Sequence, residues 1–495
     1  MKLTELIKDT KIEKIVGWIK DIDISEICTN SRLAKKGCLF IAQKGTNFDG
    51  NLFVEEAIIN GAIALVVEKE LPAYNLPQII VKSTRLAIAT LASTYWGNPK
   101  DNLKFVGVTG TNGKTSCTQF ITEILSKANM PCAFIGTTGA WFMGKDYPSF
   151  LTTPDPLVLH KLLKSFVEDG AKFVAMEVSA HAIDLEKISN ITFEVGILTN
   201  ITQDHLDYFK TMKRYSQTKI KWLLGETVKT KIINSDDKFC QKLLNKGHRN
   251  LLSFGLDNPA DVFAVNIENN PIGTNFVLNL FDNVDTYHTS LVGMFNIYNI
   301  MAVAEATAVL GVDLSLIKKT VSLLSAPSGR FNIIRLKNNK TIIVDFAHTP
   351  DGLENALKSA RSICTGKLIS LFGCGGDRDK LKRPIMGKIA EDNSDFCIIT
   401  SDNPRFEKPE NILTDIEKGL NGYNYLKIAD RKLAIFKLIE MMQEGDVAVV
   451  CGKGGENYQD INGIKLPYND FDEIKKSVKT ILGEDCKTEN KEIIC

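Results

Sequence analysis

Between the apolar, β-branched run Lys104–Thr109 and a helical run over 117–128 lies Thr109-Gly110-Thr111-Asn112-Gly113-Lys114-Thr115-Ser116. Glycines in such a turn let backbone N–H groups approach phosphate oxygens at the start of a helix. Lys114 adds a mobile positive charge, and Thr115 a hydroxyl able to bind Mg²⁺. Gly110, Thr111, Asn112, Gly113, Lys114, Thr115 and Ser116 are therefore candidates to hold a nucleotide. The match to the general phosphate loop is incomplete: its first glycine would fall at Val108, and Gly107 stands one place early. Alone, the loop indicates nucleotide phosphate without naming a reaction; the bland alternative is a turn that only joins strand to helix.

The chain that must position this loop has 495 residues, 44% hydrophobic and 24% charged, an ordinary globular composition with room for about three domains. Its 60 basic and 59 acidic residues leave a formal charge of +1, which gives no argument for nucleic acid or membrane attraction. The start, Met1 to Asp9, reads as a short amphipathic helix rather than an export signal. No stretch approaches the ~20 apolar residues of a membrane span, so a cytoplasmic protein without a transmembrane segment is expected. Eleven scattered cysteines without a Cys-x-x-Cys pair suit reduced thiols better than a disulfide frame. The six histidines are dispersed, and no structural zinc is expected.

Three regions separate, at 1–98, 99–327 and 328–495. In the first, short apolar strands at 38–42 and 64–67 alternate with helical stretches, and Gly97-Asn98-Pro99 reads as a linker. In the second, the phosphate-loop strand is followed by strand candidates at Phe173–Glu177, 195–199 and 231–234. In the third, candidates at Thr341–Asp345, Leu368–Phe372, 396–400 and Val447–Cys451 each end in a polar or glycine-rich loop. Strands alternating with helices predict an α/β fold with mainly parallel, doubly wound sheets, whose ligands gather at the strands' carboxyl ends. The tail after about Leu482 reads as polar and disordered.

Further motifs stand in order along the chain. They include Met176-Glu177-Val178-Ser179-Ala180-His181-Ala182 and Thr199-Asn200-Ile201-Thr202-Gln203-Asp204-His205-Leu206-Asp207-Tyr208. Gly293-Met294-Phe295-Asn296-Ile297-Tyr298-Asn299, Gly329-Arg330 and Asp345-Phe346-Ala347-His348-Thr349-Pro350-Asp351 follow. The last are Gly373-Cys374-Gly375-Gly376-Asp377-Arg378-Asp379-Lys380, Ser401-Asp402-Asn403-Pro404-Arg405 and Gly452-Lys453-Gly454-Gly455-Glu456-Asn457-Tyr458-Gln459. With Thr-Gly-Thr-Asn-Gly-Lys-Thr, the set resembles the Mur ligase family, MurE type, over about residues 25–460.

That resemblance implies three domains: a smaller N-terminal α/β domain for a UDP-linked substrate, a central P-loop-type mostly parallel ATPase domain, and a C-terminal Rossmann-like domain for an amino acid. It implies ATP-dependent ligation of meso-2,6-diaminopimelate to UDP-N-acetylmuramoyl-L-alanyl-D-glutamate (UDP-MurNAc-L-Ala-D-Glu) in peptidoglycan synthesis. A substrate carboxylate takes the γ-phosphoryl group of ATP, and the incoming amine displaces phosphate from the acyl phosphate. Lys114, Glu177, His205 and Lys219 would be the catalytic set, and Thr115, Glu177, His205 and a carbamylated Lys219 the magnesium ligands. For Lys219 the carbamate would come from CO₂, since a lysine of lowered pKa offers a neutral amine; a solvated helix lysine is the alternative. His181 is expected to be structural.

Asn296, Asn299, Arg330, Asp345 and His348 resemble nucleotide-contacting groups of the family, with Asp345 equally able to orient the linker. Ser31, within Thr29-Asn30-Ser31-Arg32, and Thr46 and Asn47 resemble the UDP-binding segments. Thr152, Thr153, Ser179 and Lys187 would meet the sugar or peptide end. Arg378, Asp402, Asn403, Pro404, Arg405, Gly452 and Glu456 resemble the amino-acid pocket. Arg405 could grip a second carboxylate bidentately and repel lysine's ammonium.

The sequence departs from the family pattern at Asn30 (often aspartate), Ala180 (serine), Lys187 (arginine) and Gly455 (histidine), which leaves the fine geometry of dipeptide binding and of the last loop open. L-Lysine or another diamino acid such as lanthionine remains an alternative substrate. So do a folate polyglutamate synthase, a ligase adding another peptide residue, and a non-catalytic nucleotide-dependent binding module. A monomer is expected, with no nucleic acid partner.

Overall fold

The computed structural model describes residues 1–45, 49–149, 151–244, 246–270, 273–483, 486–489 and 492–495. They form two compact units: Met1–Thr109, Asn129–Gly196 and Lys221–Thr230 make one, and Gly110–Ala128, Ile197–Ile220 and Lys231–Cys495 the other.

The first unit contains a five-stranded sheet in the order Ile12–Val16, Gln78–Val81, Ala62–Val67, Cys38–Ile41, Ile27–Cys28, with the first strand antiparallel. Alternate residues divide between its faces: Leu39, Ile41, Val66 and Ile79 enter one core, and Cys38, Phe40, Leu65 and Ile80 another. A second sheet of this unit contains Lys104–Thr109, Phe173–Glu177, Cys132–Gly136, Gly139–Phe142 and Lys145–Tyr147, side by side in that order. Parallel pairing of Phe173 with Lys104 through Glu177 with Val108 sets Glu177 at a carboxyl end. In the second unit the strands Asn283–Thr289, Gly273–Leu280, Val262–Asn270 and Leu251–Gly255 lie side by side, with residues 231–234 next to the last. The first three form an antiparallel ribbon that the expectation of parallel strands did not include.

The third sheet explains the position of most candidate residues. Tyr425–Lys427, Phe396–Ile399, Leu368–Phe372, Val447–Cys451 and Thr341–Asp345 lie side by side and parallel. Such strands are buried on both faces and read as continuous apolar runs. Ile343, Leu368, Phe372 and Val449 pack with Leu353, Leu357, Met386 and Ala390, from the helices Pro350–Arg361 and Lys382–Asn393. Ile342, Val344, Leu371 and Val450 pack with Ile435, Leu438, Ile474 and Val478, from Arg431–Met441 and Asp470–Leu482. Parallel register brings the loops after residues 345, 372, 399 and 451 out along one edge.

Two expectations are corrected. The described residues of the tail are not disordered: Lys487–Glu489 and Glu492–Ile494 pair as a hairpin, and Ile493 and Ile494 pair in parallel with Ile334 and Arg335. Without them Asn332–Arg335 would be an edge, and an edge recruits main chain whatever the side chains. A disulfide joins Cys486 to Cys495, the two ends of that hairpin; the other nine cysteines are free thiols.

Candidate functional site

In the second unit the helix Lys114–Lys127 starts from Gly113 at φ +85°, a left-handed conformation open to glycine. A Cβ at Gly113 would lie 2.5 Å from Asn299 Oδ1, and one at Gly110 1.9 Å from Thr199 Oγ1. Lys114 folds over its own loop, donating from Nζ to the carbonyls of Gly110 (3.0 Å) and Thr111 (2.7 Å). The Asn112 amide donates to Asp351 at 2.7 Å and its backbone N–H to Asn200 Oδ1 at 2.9 Å. Asn296 and Asn299 are buried, and Cys117 Sγ donates to Asn299 Oδ1 at 3.4 Å. Thr115 and Ser116 are also buried at the helix start. Of the two asparagines, Asn299 lies against the loop at Gly113 and bonds Asn296 at 3.5 Å.

Lys219, on the helix Met212–Leu223, is 1% exposed and donates to the Gly110 carbonyl at 2.8 Å. Burial, and then the charge of Lys114, hold its pKa well below the ordinary lysine value. Tyr215, one turn earlier, lies with its ring 4.9 Å from the Lys219 ammonium and its hydroxyl 3.2 Å from that of Thr111. His205 stands just before the helix Leu206–Phe209 at φ +54°, strained for a residue with a Cβ. Its Nε2 is 3.2 Å from Oδ2 of Asp204, and Nε2 of His348 is 3.7 Å from the same oxygen. Burial alone would raise the pKa of Asp204. The nearby imidazole of His348, with the charges of His205 and Lys382, outweighs it and holds the carboxyl well below the usual range.

Arg330 reaches from the linker to the phosphate loop, donating to Thr115 Oγ1 at 3.0 Å while stacking on Phe346 with its guanidinium carbon 4.4 Å from the ring centre. Asp345 accepts from the backbone N–H groups of Phe331 and Ala347, both at 2.7 Å. Of its two expected roles, the contacts match orientation of the linker. His348 donates from Nδ1 to the Phe346 carbonyl at 2.9 Å.

The loops of the third sheet bring the amino-acid candidates together. Arg405, at φ +51°, donates to the Gly376 carbonyl at 2.7 Å and lies 3.9 Å from Asp460. A Cβ on Gly375 would meet Arg405 Nη1 at 2.9 Å and Arg378 Cγ at 3.6 Å. Arg378 extends towards Asp207 at 3.7 Å. Asp402 Oδ2 would lie 2.5 Å from a Cβ on Gly452, and Asn403 donates to Glu456 at 2.9 Å. Pro404 forms the turn, its carbonyl packed on Gly376. Gly455, where the family pattern has histidine, faces Ser328: a Cβ there would be 2.9 Å from the Ser328 carbonyl oxygen.

The first unit holds the remaining candidates. Glu177 is fully buried and accepts from the N–H (2.7 Å) and hydroxyl (3.0 Å) of Thr137. Thr152 joins Thr137 at 3.2 Å, and Thr153 donates to the Glu177 carbonyl at 2.8 Å and meets Ser179. Ser179 caps the helix Ala180–Asp184. Lys187 pairs with Asp155 at 2.8 Å. These gather around one strand end, whereas Ser31 gives its hydroxyl to Glu56. Thr46 and Asn47 lie outside the described residues.

Sequence reasoning assigned no role to Asp204, Asn200, Tyr215 or Lys453. Asp204 carried a usable signal, a carboxylate next to a candidate ligand histidine. Tyr215 and Lys453 carried none, because an aromatic on a helix and a lysine in a loop are ordinary surface residues until burial is known.

Three family models match in order: Mur ligase family, catalytic domain, over residues 23–96; Mur ligase middle domain over 108–307; and Mur ligase, glutamate ligase domain, over 329–454. A protein of Aquifex aeolicus named UDP-N-acetylmuramoyl-L-alanyl-D-glutamate–2,6-diaminopimelate ligase is 42% identical over 463 residues, 93% of this chain and 94% of its own. One of the same name from Caldanaerobacter subterraneus subsp. tengcongensis is 38% identical, covering 98% and 99%. A solved structure described by that name superposes with a TM-score of 0.69 at 31% identity, over 96% of this chain and 99% of the other. The likeness runs through all three α/β domains, and the chain belongs to the Mur ligase family.

Proposed function

We propose that this protein ligates meso-2,6-diaminopimelate to UDP-MurNAc-L-Ala-D-Glu at the expense of ATP, in the cytoplasm, as a step of peptidoglycan synthesis. The domains are taken as 1–98, 99–327 and 328–495, and the working form as a monomer. The observation that carries the reading is the pairing of opposite charges on one sheet edge. Arg378 and Arg405 flank Gly375, while Asp402 and Glu456 border Gly452 and Asn403. An amino acid with two carboxylates and two ammonium groups matches that arrangement.

In this reading the amides of Gly110–Ser116 and Lys114 hold the ATP phosphates, with Asn296, Asn299 and Arg330 at its other groups. The γ-phosphoryl group passes to a carboxylate of the dipeptide, releasing ADP. The amino acid's amine then attacks the acyl carbon and phosphate leaves. Thr115, His205 and a carbamate on Lys219 would hold magnesium; hydroxyl and carbamate oxygens are the hard donors that ion takes, together with phosphate and water. Bound magnesium would offset the charge that gathers on the phosphoryl oxygens. Lys219 suits carbamate formation because its amine is buried and its proton disfavoured. Glu177 as a fourth ligand rests on family resemblance alone. So do Ser31, Thr46, Asn47, Thr152, Thr153, Ser179 and Lys187 as contacts of the UDP-linked substrate.

The test is ADP release with ATP, magnesium, the UDP-muramoyl dipeptide and a panel of amino acids. Release should require both substrates and be fastest with meso-diaminopimelate. Lanthionine, with the same charged groups, is the amino acid the panel must separate from it. A protein that hydrolyses ATP equally with or without the dipeptide would be no ligase of this kind.

A further inference from the structure

Lys453 lies in the loop Gly452-Lys453-Gly454-Gly455-Glu456 with its side chain fully buried. Its ammonium donates to Glu456 Oε2 at 2.8 Å and to Asn403 Oδ1 at 3.0 Å. The Asn403 amide donates to that same Glu456 oxygen at 2.9 Å, and Asn403 Oδ1 also accepts from the Asp460 N–H at 2.9 Å. The rings of Tyr458 and Tyr468 lie 5.5 and 5.9 Å from the ammonium. The three side chains therefore close a triangle in which one oxygen of Glu456 is occupied by a cation and an amide. Its other oxygen makes no hydrogen bond among the described residues, and the side chain is 23% exposed.

An ion pair so placed changes what Glu456 offers a ligand. Without Lys453, Asp402 and Glu456 would balance Arg378 and Arg405, and the half-buried Glu456 carboxylate would attract any ammonium, that of a cationic diamino acid included. Paired with Lys453, Glu456 still accepts a hydrogen bond but adds little net negative charge. The excess charge of a cationic diamino acid then goes uncompensated, while a diamino diacid brings a second carboxylate for Arg405.

We propose that Lys453 is a specificity-determining residue, whose buried ammonium neutralises Glu456 and so biases the pocket against net-cationic diamino acids and towards a net-neutral diamino diacid. The proposal rests on the ligase reading above and deepens it.

The experiment uses the full chain with ATP, magnesium and the UDP-muramoyl dipeptide, and compares meso-diaminopimelate with L-lysine as substrates and as competitors. Lys453→Met should lower the preference for diaminopimelate by ~10-fold or more, with the KM values for ATP and dipeptide unmoved. Lys453→Arg should hold the preference within ~3-fold, since it keeps the charge. Glu456→Gln leaves the ammonium unpaired and should raise the preference, the opposite sign. A merely structural lysine would lower turnover of both amino acids together and leave the ratio alone, and that outcome overturns the proposal. Should Lys453→Met fail to fold, the sign in Glu456→Gln decides: an unchanged or lowered preference overturns it. A parent protein that releases no ADP with any amino acid overturns the ligase reading and this proposal with it. A working parent with unmoved ratios overturns this proposal only.

Discussion

Nζ of Lys219 donates to the carbonyl of Gly110 at 2.8 Å, so the first glycine of the phosphate loop is held by a lysine more than 100 positions later in the chain. That amine is 1% exposed and shares its surroundings with Lys114. Two ammonium groups confined together repel, and burial adds to the cost of each charge. Conversion of one amine to a carbamate removes the conflict and supplies an anion. We expect Lys219→Ala to lower ligation ~100-fold or more, the scale of losing one group that organises transferring charge. Small carboxylic acids should restore part of the rate, and ¹³C-bicarbonate should give the parent a carbamate resonance that the variant lacks. Full activity of Lys219→Ala in CO₂-free buffer would end the assignment.

Asp204 lies beside two imidazoles that come from different parts of the chain, His205 at 3.2 Å and His348 at 3.7 Å. Asparagine keeps the shape of that side chain and removes its charge. Asp204→Asn should cut kcat ~10- to 100-fold, the usual cost of removing a partner that orients such a group. The KM for diaminopimelate should hardly move. If that KM rose while kcat held, Asp204 would belong to the amino-acid pocket instead.

Much of this arrangement could be read before any coordinates. The strand Lys104–Thr109, the strand Phe173–Glu177 and the four central strands of the third sheet were visible because strands buried on both faces must be continuously apolar. The loops after them were then expected to form the ligand edge. The antiparallel ribbon Val262–Asn270, Gly273–Leu280 and Asn283–Thr289 was not visible, since the apolar Phe263, Val265 and Val284 stand exposed and break the alternation. The buried state of Lys219 and Lys453 was likewise hidden: a lysine's letter reports its charge, and only tertiary packing reports the loss of its water. For the C-terminal hairpin, composition counted polar side chains, whereas backbone pairing to Asn332–Arg335 decided the outcome.

Arg405 is held with its guanidinium on the Gly376 carbonyl and near Asp460. Arg405→Ala should raise the KM for diaminopimelate ~10- to 100-fold, the worth of a charge-assisted hydrogen bond pair, and leave that for ATP unchanged. Arg405→Lys should recover only part of it, because an ammonium keeps the charge and loses the fork. Equal KM values for diaminopimelate in the parent and Arg405→Ala would remove Arg405 from the pocket.

Gly329 and Gly455 pack backbone to backbone. At φ +72°, Gly329 would carry a Cβ only 1.8 Å from the Gly455 nitrogen. Gly329→Ala therefore meets both a conformational cost of ~1–2 kcal/mol and a clash that the linker must relieve. Its Tm should fall by ~4 °C or more in a thermal melt. A variant that melts with the parent would show that the linker has room to move away from the last loop.

His160 tests the first unit through acid stability. Its side chain is fully buried on the helix Pro156–Glu168, with Nε2 beside Asn190, whose amide donates to the Ala89 carbonyl at 2.8 Å. Among the described residues, Nδ1 has no hydrogen-bond partner. Burial is the main cause that lowers its pKa from 6.5 to about 4. A base with a depressed folded pKa binds fewer protons folded than unfolded between those two values, so stability falls as pH drops through the window from 6.5 to 4. The loss approaches about 3 kcal/mol at its acid end. Melting curves of the parent should lose Tm progressively over that range, and His160→Gln, which does not titrate, should lose less of it. A variant whose Tm falls as steeply as the parent's between pH 6.5 and 4 would place the acid sensitivity on other groups.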